Sequence, residues 1–130
     1  MQNYQTITGD ISPVILTKNI AKSHLHNLKL IERIKHSDSI STFRNELESR
    51  ELKSLKKLKE QCERYVYRVE YALNSLTIVH REIVVEEFFQ NRHGHIYHHF
   101  SKSSFYRYRK AACHLFVEAF NRSDYEYKVQ

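Results

Sequence analysis

Tryptophan is absent from this chain, proline occurs once and glycine only twice in 130 residues. Tight turns depend on those last two residue types, so a sheet of many short strands is disfavoured and a few long helices are expected. Cysteine is nearly as scarce. Cys62 and Cys113 stand far apart with no paired spacing, which argues against a disulfide framework and for small buried thiols in a reducing compartment. No apolar run approaches the ~20 residues of a membrane span, and the start MQNYQTITGD lacks the basic and apolar layout of a signal peptide. A cytoplasmic protein without membrane association is the expectation. A glycine-rich phosphate loop, a G-x-S-x-G turn and an HExxH pair are all missing. Glu82, Glu86 and Glu87 fall within one helical stretch, where an acidic solvated face is expected, so neither catalysis nor a cofactor is expected.

What the chain does have is unevenly placed charge. Residues 1 to 91 carry 14 Lys/Arg against 12 Asp/Glu, whereas residues 92 to 117 carry five basic side chains and no acid. His93, His95, His98, His99 and His114 lie in the same window. A generally basic protein spreads its charge, whereas a concentrated patch sets up a local field that attracts phosphates or acidic partners.

At this length one domain with a modest core is expected, and the apolar share of 41% is too high for disorder. Residues 1 to 11 read as a loose arm. Ser12-Pro13 is a strong helix start, since Ser can cap and Pro is pre-set for the first helical position. Ile15, Ile20, Leu25, Leu28, Ile31 and Ile34 form a rough inner stripe through about Lys35, and His36-Ser37-Asp38-Ser39 is expected to end the helix. A second helix is expected from Ser41, as its cap, to about Ser75, with Leu47, Leu55, Leu58, Cys62, Tyr65, Val66, Val69, Leu73 and Leu76 as apolar positions. Its run of Lys, Arg and Glu from Glu46 to Glu63 reads as a solvated face. A third helix is expected after the cap Thr77, ending near Asn91, with Val79, Ile83, Val84 and Phe88 inward and Glu86-Glu87 outward. The last is expected from Ser101 or Ser103 to about Asn121, burying Phe105, Tyr108, Ala112, Leu115/Phe116 and Ala119.

Burying Phe105 and Ala112 turns Lys102, Ser103, Tyr106, Arg107, Arg109 and Lys110 outward on the first half of that helix. These side chains suit a DNA major groove: Arg bridges guanine O6 and N7, Lys and Ser hold phosphates, and Tyr reaches a phosphate or an apolar base edge. Ser104 and Arg92 complete the expected DNA-binding set. The His cluster also holds pairs three and four residues apart, which can share a helix side and bind zinc. No cysteine lies near it and Gly94 interrupts it, so His95, His98 and His99 remain weak metal candidates and no metal is expected.

From Leu73 to Phe116, LNSL-TIVHREIVVEEFF, a short linker and FSKSSFYRYRKAACHLF together resemble the C-terminal half of ArpU/RinA-type phage late transcription regulators. The same stretch is similar to the region 4 helix-turn-helix of bacterial sigma factors. Arg81-Glu82-Ile83-Val84, Phe88-Phe89, the Ser101 to Arg107 step, Arg109-Lys110, Ala112 and Phe116 carry the likeness, over about a third of the chain. In place of the motif's usual acidic-apolar first helix stands HIYHHF (95–100), in which Ile96 and Phe100 are expected to pack inward. The resemblance implies promoter-region binding through Lys102, Ser103, Tyr106, Arg107 and Lys110. The expected fold class is therefore all-α: a long N-terminal helical hairpin (12–76) followed by a sigma-region-4-like helix-turn-helix of three short helices (77–121) and a tail (122–130). The expected function is a small DNA-binding transcription regulator acting on double-stranded DNA beside RNA polymerase, its hairpin serving homodimerisation or docking on a protein partner. The alternative is a helical adaptor that binds an acidic protein partner without touching DNA.

Overall fold

The computed structural model of the protein describes residues 11–41, 49–90, 92 and 100–129. Those residues form an all-α fold with no strand among them: α1 (Pro13–Ser41), α2 (Ser49–Asn74), α3 (Ile78–Val84) running into one π-helical turn (Val85–Phe89), and α4 (Lys102–Val129). No helix among the described residues is long and apolar enough to cross a membrane.

The helix starts follow capping chemistry. The Ser12 hydroxyl accepts a hydrogen bond from the Val14 amide at 3.1 Å, and the Leu16 amide closes the first turn on the Ser12 carbonyl at 3.0 Å. Thr77 caps α3 with extended backbone, its hydroxyl accepting from the His80 amide. The end of α1 differs from expectation. It continues through His36-Ser37-Asp38-Ser39 to Ser41, so Ser41 is its last residue and not the cap of the next helix. Polar residues of middling helix propensity do not stop a helix that has neither Gly nor Pro to end it. Helix α2 is correspondingly shorter than expected, 26 residues from Ser49, and α4 is longer, 28 residues running past Asn121 to Val129. The last helix is thus not one of three short ones.

The core lies where α1, α2, α3 and α4 meet. Val69, Ala72 and Leu76 of α2, Val84 of α3, and Ala112, Phe116, Ala119 and Phe120 of α4 form one buried cluster, with Ile20 of α1 packed against it. The hairpin and the C-terminal segment therefore share a core. Buried alanines and cysteines face one another across the bundle, Cys62 and Ala72 on α2 and Ala112, Cys113 and Ala119 on α4, and such small side chains let helix axes approach closely. Aromatic rings fill the remaining space: Phe89 meets the Phe116 ring edge-on at 6.0 Å, and Tyr65 meets Phe120 at 5.4 Å. Two arginines of α2 tie down α4. Arg64 pairs with Asp124 at 2.6 Å, while Arg68 donates to the Ser123 hydroxyl and the Phe120 carbonyl, both at 3.1 Å, and lies over the Phe120 ring. The Leu- and Lys-rich start of α2 is largely solvated, with Leu52 and Leu58 exposed.

Both thiols are free and buried, as their isolated spacing suggests. Burial pushes both pKa values up, that of Cys113 to about 11, where a nearby Thr17 hydroxyl partly opposes the effect. Neither is a ready nucleophile at neutral pH.

His24 on α1 packs edge-on against Phe89 at 5.4 Å, and this burial lowers its pKa below the ordinary 6.5, with Glu70 partly opposing. The unfolded chain binds a proton at this site as pH falls through that ordinary value, and the folded protein resists it. Stability tied to His24 is therefore complete above pH 6.5 and declines below it, down to the lowered folded value. Urea midpoints between about pH 7 and about pH 5 should fall less for His24→Gln than for the native protein. Equal falls would contradict this assignment.

Candidate nucleic-acid interface

Helix α4 begins on Ser101. Its hydroxyl accepts from the Ser104 amide at 3.3 Å and its carbonyl from the Phe105 amide at 2.9 Å. Of the two expected caps, Ser101 takes the role, and Ser103 stands exposed one residue inside the helix. Ser101→Ala is expected to lower stability by about 1 kcal/mol, and exposed Ser103→Ala by less than about 0.5 kcal/mol. Thermal melts of the two proteins check this, and a reversed order would contradict the cap.

From that cap the side chains sort by helical phase. Phe105, Ala112, Cys113, Phe116, Ala119, Phe120 and Ser123 are buried. Directly opposite this stripe lie Ser103, Arg107 and Lys110, spaced by four and three residues and all exposed. Lys102 is exposed at the helix start, Tyr106 is exposed on the flank, and Ser104 is half-buried. Among the described residues none of Lys102, Arg107 and Lys110 enters an ion pair. Ser103 and Lys110 are about 10 Å apart along the axis, a span comparable with the ~12 Å width of the major groove. The α4 amino end adds its own partial positive charge to these cations.

Two expected DNA contacts are placed elsewhere. Arg109 is not turned outward: it falls four residues after Phe105 and three before Ala112, on the core side. Its guanidinium lies 3.6 Å from the Glu87 carboxylate and over the Tyr106 ring at 4.8 Å, while its buried Nε has no hydrogen-bond partner. Arg92 is exposed but spans Glu86 and Gln90, each at 3.2 Å, so its charge is offset locally.

Glu87 is itself a correction, since it was expected to face out and is 4% exposed. Glu87 stands four residues after Ile83 and three after Val84, both fully buried, so helical phase sets it on the inner face; it lies within the π-helical turn, in which the Gln90 amide reaches the Val85 carbonyl at 2.8 Å. Val79, expected inward, is 47% exposed. Tyr108 and Leu115, expected in the buried stripe, are each 40% exposed, because the core phase of α4 runs through Cys113, Phe116 and Phe120. Tyr108 packs against Phe100 and His80, at 5.2 and 6.4 Å between ring centres. Phe100 is half-buried and also meets Phe105, consistent with the inward role expected of it.

Ile96 and the remainder of the expected short middle helix, with His93, His95, His98 and His99, lie outside the described residues. Among the described residues no group of three His, Cys, Asp or Glu could hold a metal ion. His114, farther along α4, faces Glu118 at 3.3 Å on an exposed surface. The Glu87–Arg109 pair was missed on the sequence. The signal for it was Arg109's own spacing from Phe105 and Ala112, which sets it on the inner face.

Comparison with known proteins gives no assignment: no family model, no curated protein and no solved structure matches this chain.

Proposed function

We propose that this protein binds double-stranded DNA through the amino-terminal half of α4 and acts as a small transcription regulator. The observation that carries the reading is the exposed set Ser103, Arg107 and Lys110, which faces away from the core with no ion pair among the described residues to offset its cations. In this reading Arg107 enters the major groove and donates two hydrogen bonds to a guanine edge, while Lys102, Ser103 and Lys110 contact phosphates that fix the register. Tyr106, beside them, meets a phosphate or the methyl of a thymine. Arg109 acts indirectly, anchoring the helix to Glu87 beneath the contact face.

The resemblance of the 73–116 stretch to ArpU/RinA-type regulators and to sigma region 4 supports the same role and adds RNA polymerase as a partner. A helix presenting its first turns to DNA fits the docking of helix-turn-helix proteins. The cytoplasm is the matching location, and homodimerisation through the hairpin would set two such helices on neighbouring half-sites.

Fluorescence anisotropy of a labelled mixed-sequence duplex, from low to physiological salt, tests the reading against its adaptor rival. Binding should fall with a log–log slope of about −2 to −4, as two to four neutralised phosphates require. An acidic polypeptide such as polyglutamate should compete poorly. No duplex binding at low salt would hand the basic face to a protein partner.

A further inference from the structure

A groove of about 460 Å³ opens between α1 and the π-helical turn, on a different wall of the bundle from the Arg107–Lys110 face. Its α1 side carries Lys18 and Lys22, one helical turn apart, followed by Leu25 and Leu28. Phe88 and Phe89 line the opposite side. Leu25 is 53% exposed and Leu28 38%, although sequence periodicity assigns both to an inner stripe. These apolar side chains lack cover because the groove, and not another helix, lies against them.

The charge in the groove is unbalanced. One carboxylate, Glu87, lines it, and that group faces Arg109 at 3.6 Å. Lys18 and Lys22 are exposed and make no ion pair among the described residues. His24 lines the same groove and adds no charge at neutral pH, because burial favours its neutral form. Two unoffset cations therefore stand at one end of an apolar trough whose size falls in the usual range for small-molecule sites.

We propose that this groove binds a small amphipathic anion, an apolar chain or ring system bearing one carboxylate, sulfonate or phosphate, with the anion between Lys18 and Lys22 and the apolar body over Leu25, Leu28, Phe88 and Phe89. The anion supplies the charge that the two lysines lack, and the body removes exposed leucine surface from water. A neutral molecule of the same shape gains only the second contribution. A cationic one meets repulsion from both lysines.

The site does not depend on DNA binding and is tested without DNA. Anilinonaphthalene sulfonate, an apolar anion whose fluorescence rises in apolar surroundings, is titrated into the native protein. It is then displaced by decanoate, decanol or decyltrimethylammonium, all below their micelle concentrations. Saturable one-to-one binding is expected, with decanoate displacing the probe at least about tenfold more effectively than decanol and the ammonium surfactant least effective. Lys18→Glu/Lys22→Glu should weaken the probe and decanoate by at least about tenfold while leaving the thermal midpoint close to native, since both lysines are exposed. Leu25→Gln, an uncharged change also at an exposed position, should weaken decanoate and decanol alike by removing apolar contact with the body. Absent or non-saturable probe binding, equal competition by decanol, or unchanged affinity in the double lysine variant would each overturn the proposal.

Discussion

Arg107→Glu/Lys110→Glu is expected to bind a mixed-sequence duplex at least about 100-fold more weakly than the native protein at low salt, with no loss of fold. In the proposed docking Lys110 neutralises a phosphate while Arg107 donates to a guanine edge, and one phosphate contact contributes about 0.9 to the salt slope, so the slope itself should fall by about 1. Reversing the charges adds repulsion from the surrounding phosphates, which carries the loss beyond that of alanine. Both residues are exposed opposite the core stripe, so the thermal midpoint should shift by less than the equivalent of about 1 kcal/mol. Arg109 must be kept out of this variant. Removing it takes a partner from the buried Glu87 and is expected to cost about 1–3 kcal/mol of stability, which would confuse lost binding with lost structure. Native-like affinity in the folded double variant would exclude this face as the DNA contact.

Phe116→Ala should be the most damaging single truncation in α4, lowering stability by about 3–5 kcal/mol. Phe116 is fully buried at the centre of the cluster, between the rings of Phe89 and Phe120 at 6.0 and 6.5 Å. It joins α4 to the π-helical turn, so its loss opens a cavity that two elements must collapse to fill. Domains of this kind hold about 5–15 kcal/mol in total, so a large share of the protein would unfold at modest denaturant. Its neighbour supplies the control. Leu115 is 40% exposed, and Leu115→Ala should cost less than about 1 kcal/mol. Urea midpoints for the two variants decide the matter, and similar losses would mean that the core phase of α4 is misassigned.

How far the sequence disclosed this molecule depends on how local each signal was. Ser12-Pro13, Thr77 and Ser101 begin helices because their hydroxyls meet amides two or three residues away, and such bonds can be anticipated from order alone. The end of α1 had no equivalent signal, since Ser and Asp tolerate helix when nothing opposes it. Inner faces were legible where a strong aromatic or small residue set the phase, as at Phe105 and Ala112. They were lost where two apolar neighbours competed, as Leu115 did with Phe116. Glu87 was misjudged because its charge paired it with Glu86 as an acidic outer face, although its spacing of four from Ile83 and three from Val84 sets it on the inner one. Arg109 carried a signal of the same kind in its spacing from Phe105 and Ala112, whereas its counterion Glu87 is distant in sequence and meets it only once the π-helical turn and α4 are packed. The exposed basic face itself was legible, because Ser103, Arg107 and Lys110 need only the phase of their own helix.

The most direct test of DNA contact by α4 is to follow backbone amide resonances as a mixed-sequence duplex is added. The chain carries a second basic stretch on α2, with Lys53, Lys56 and Lys57 all exposed, which serves as an internal comparison. DNA bound as proposed should move the resonances of Ser103 to Lys110 most, with small changes along Lys53 to Lys57. Largest changes on α2, or none anywhere at low salt, would contradict the assignment of α4 as the DNA-reading helix.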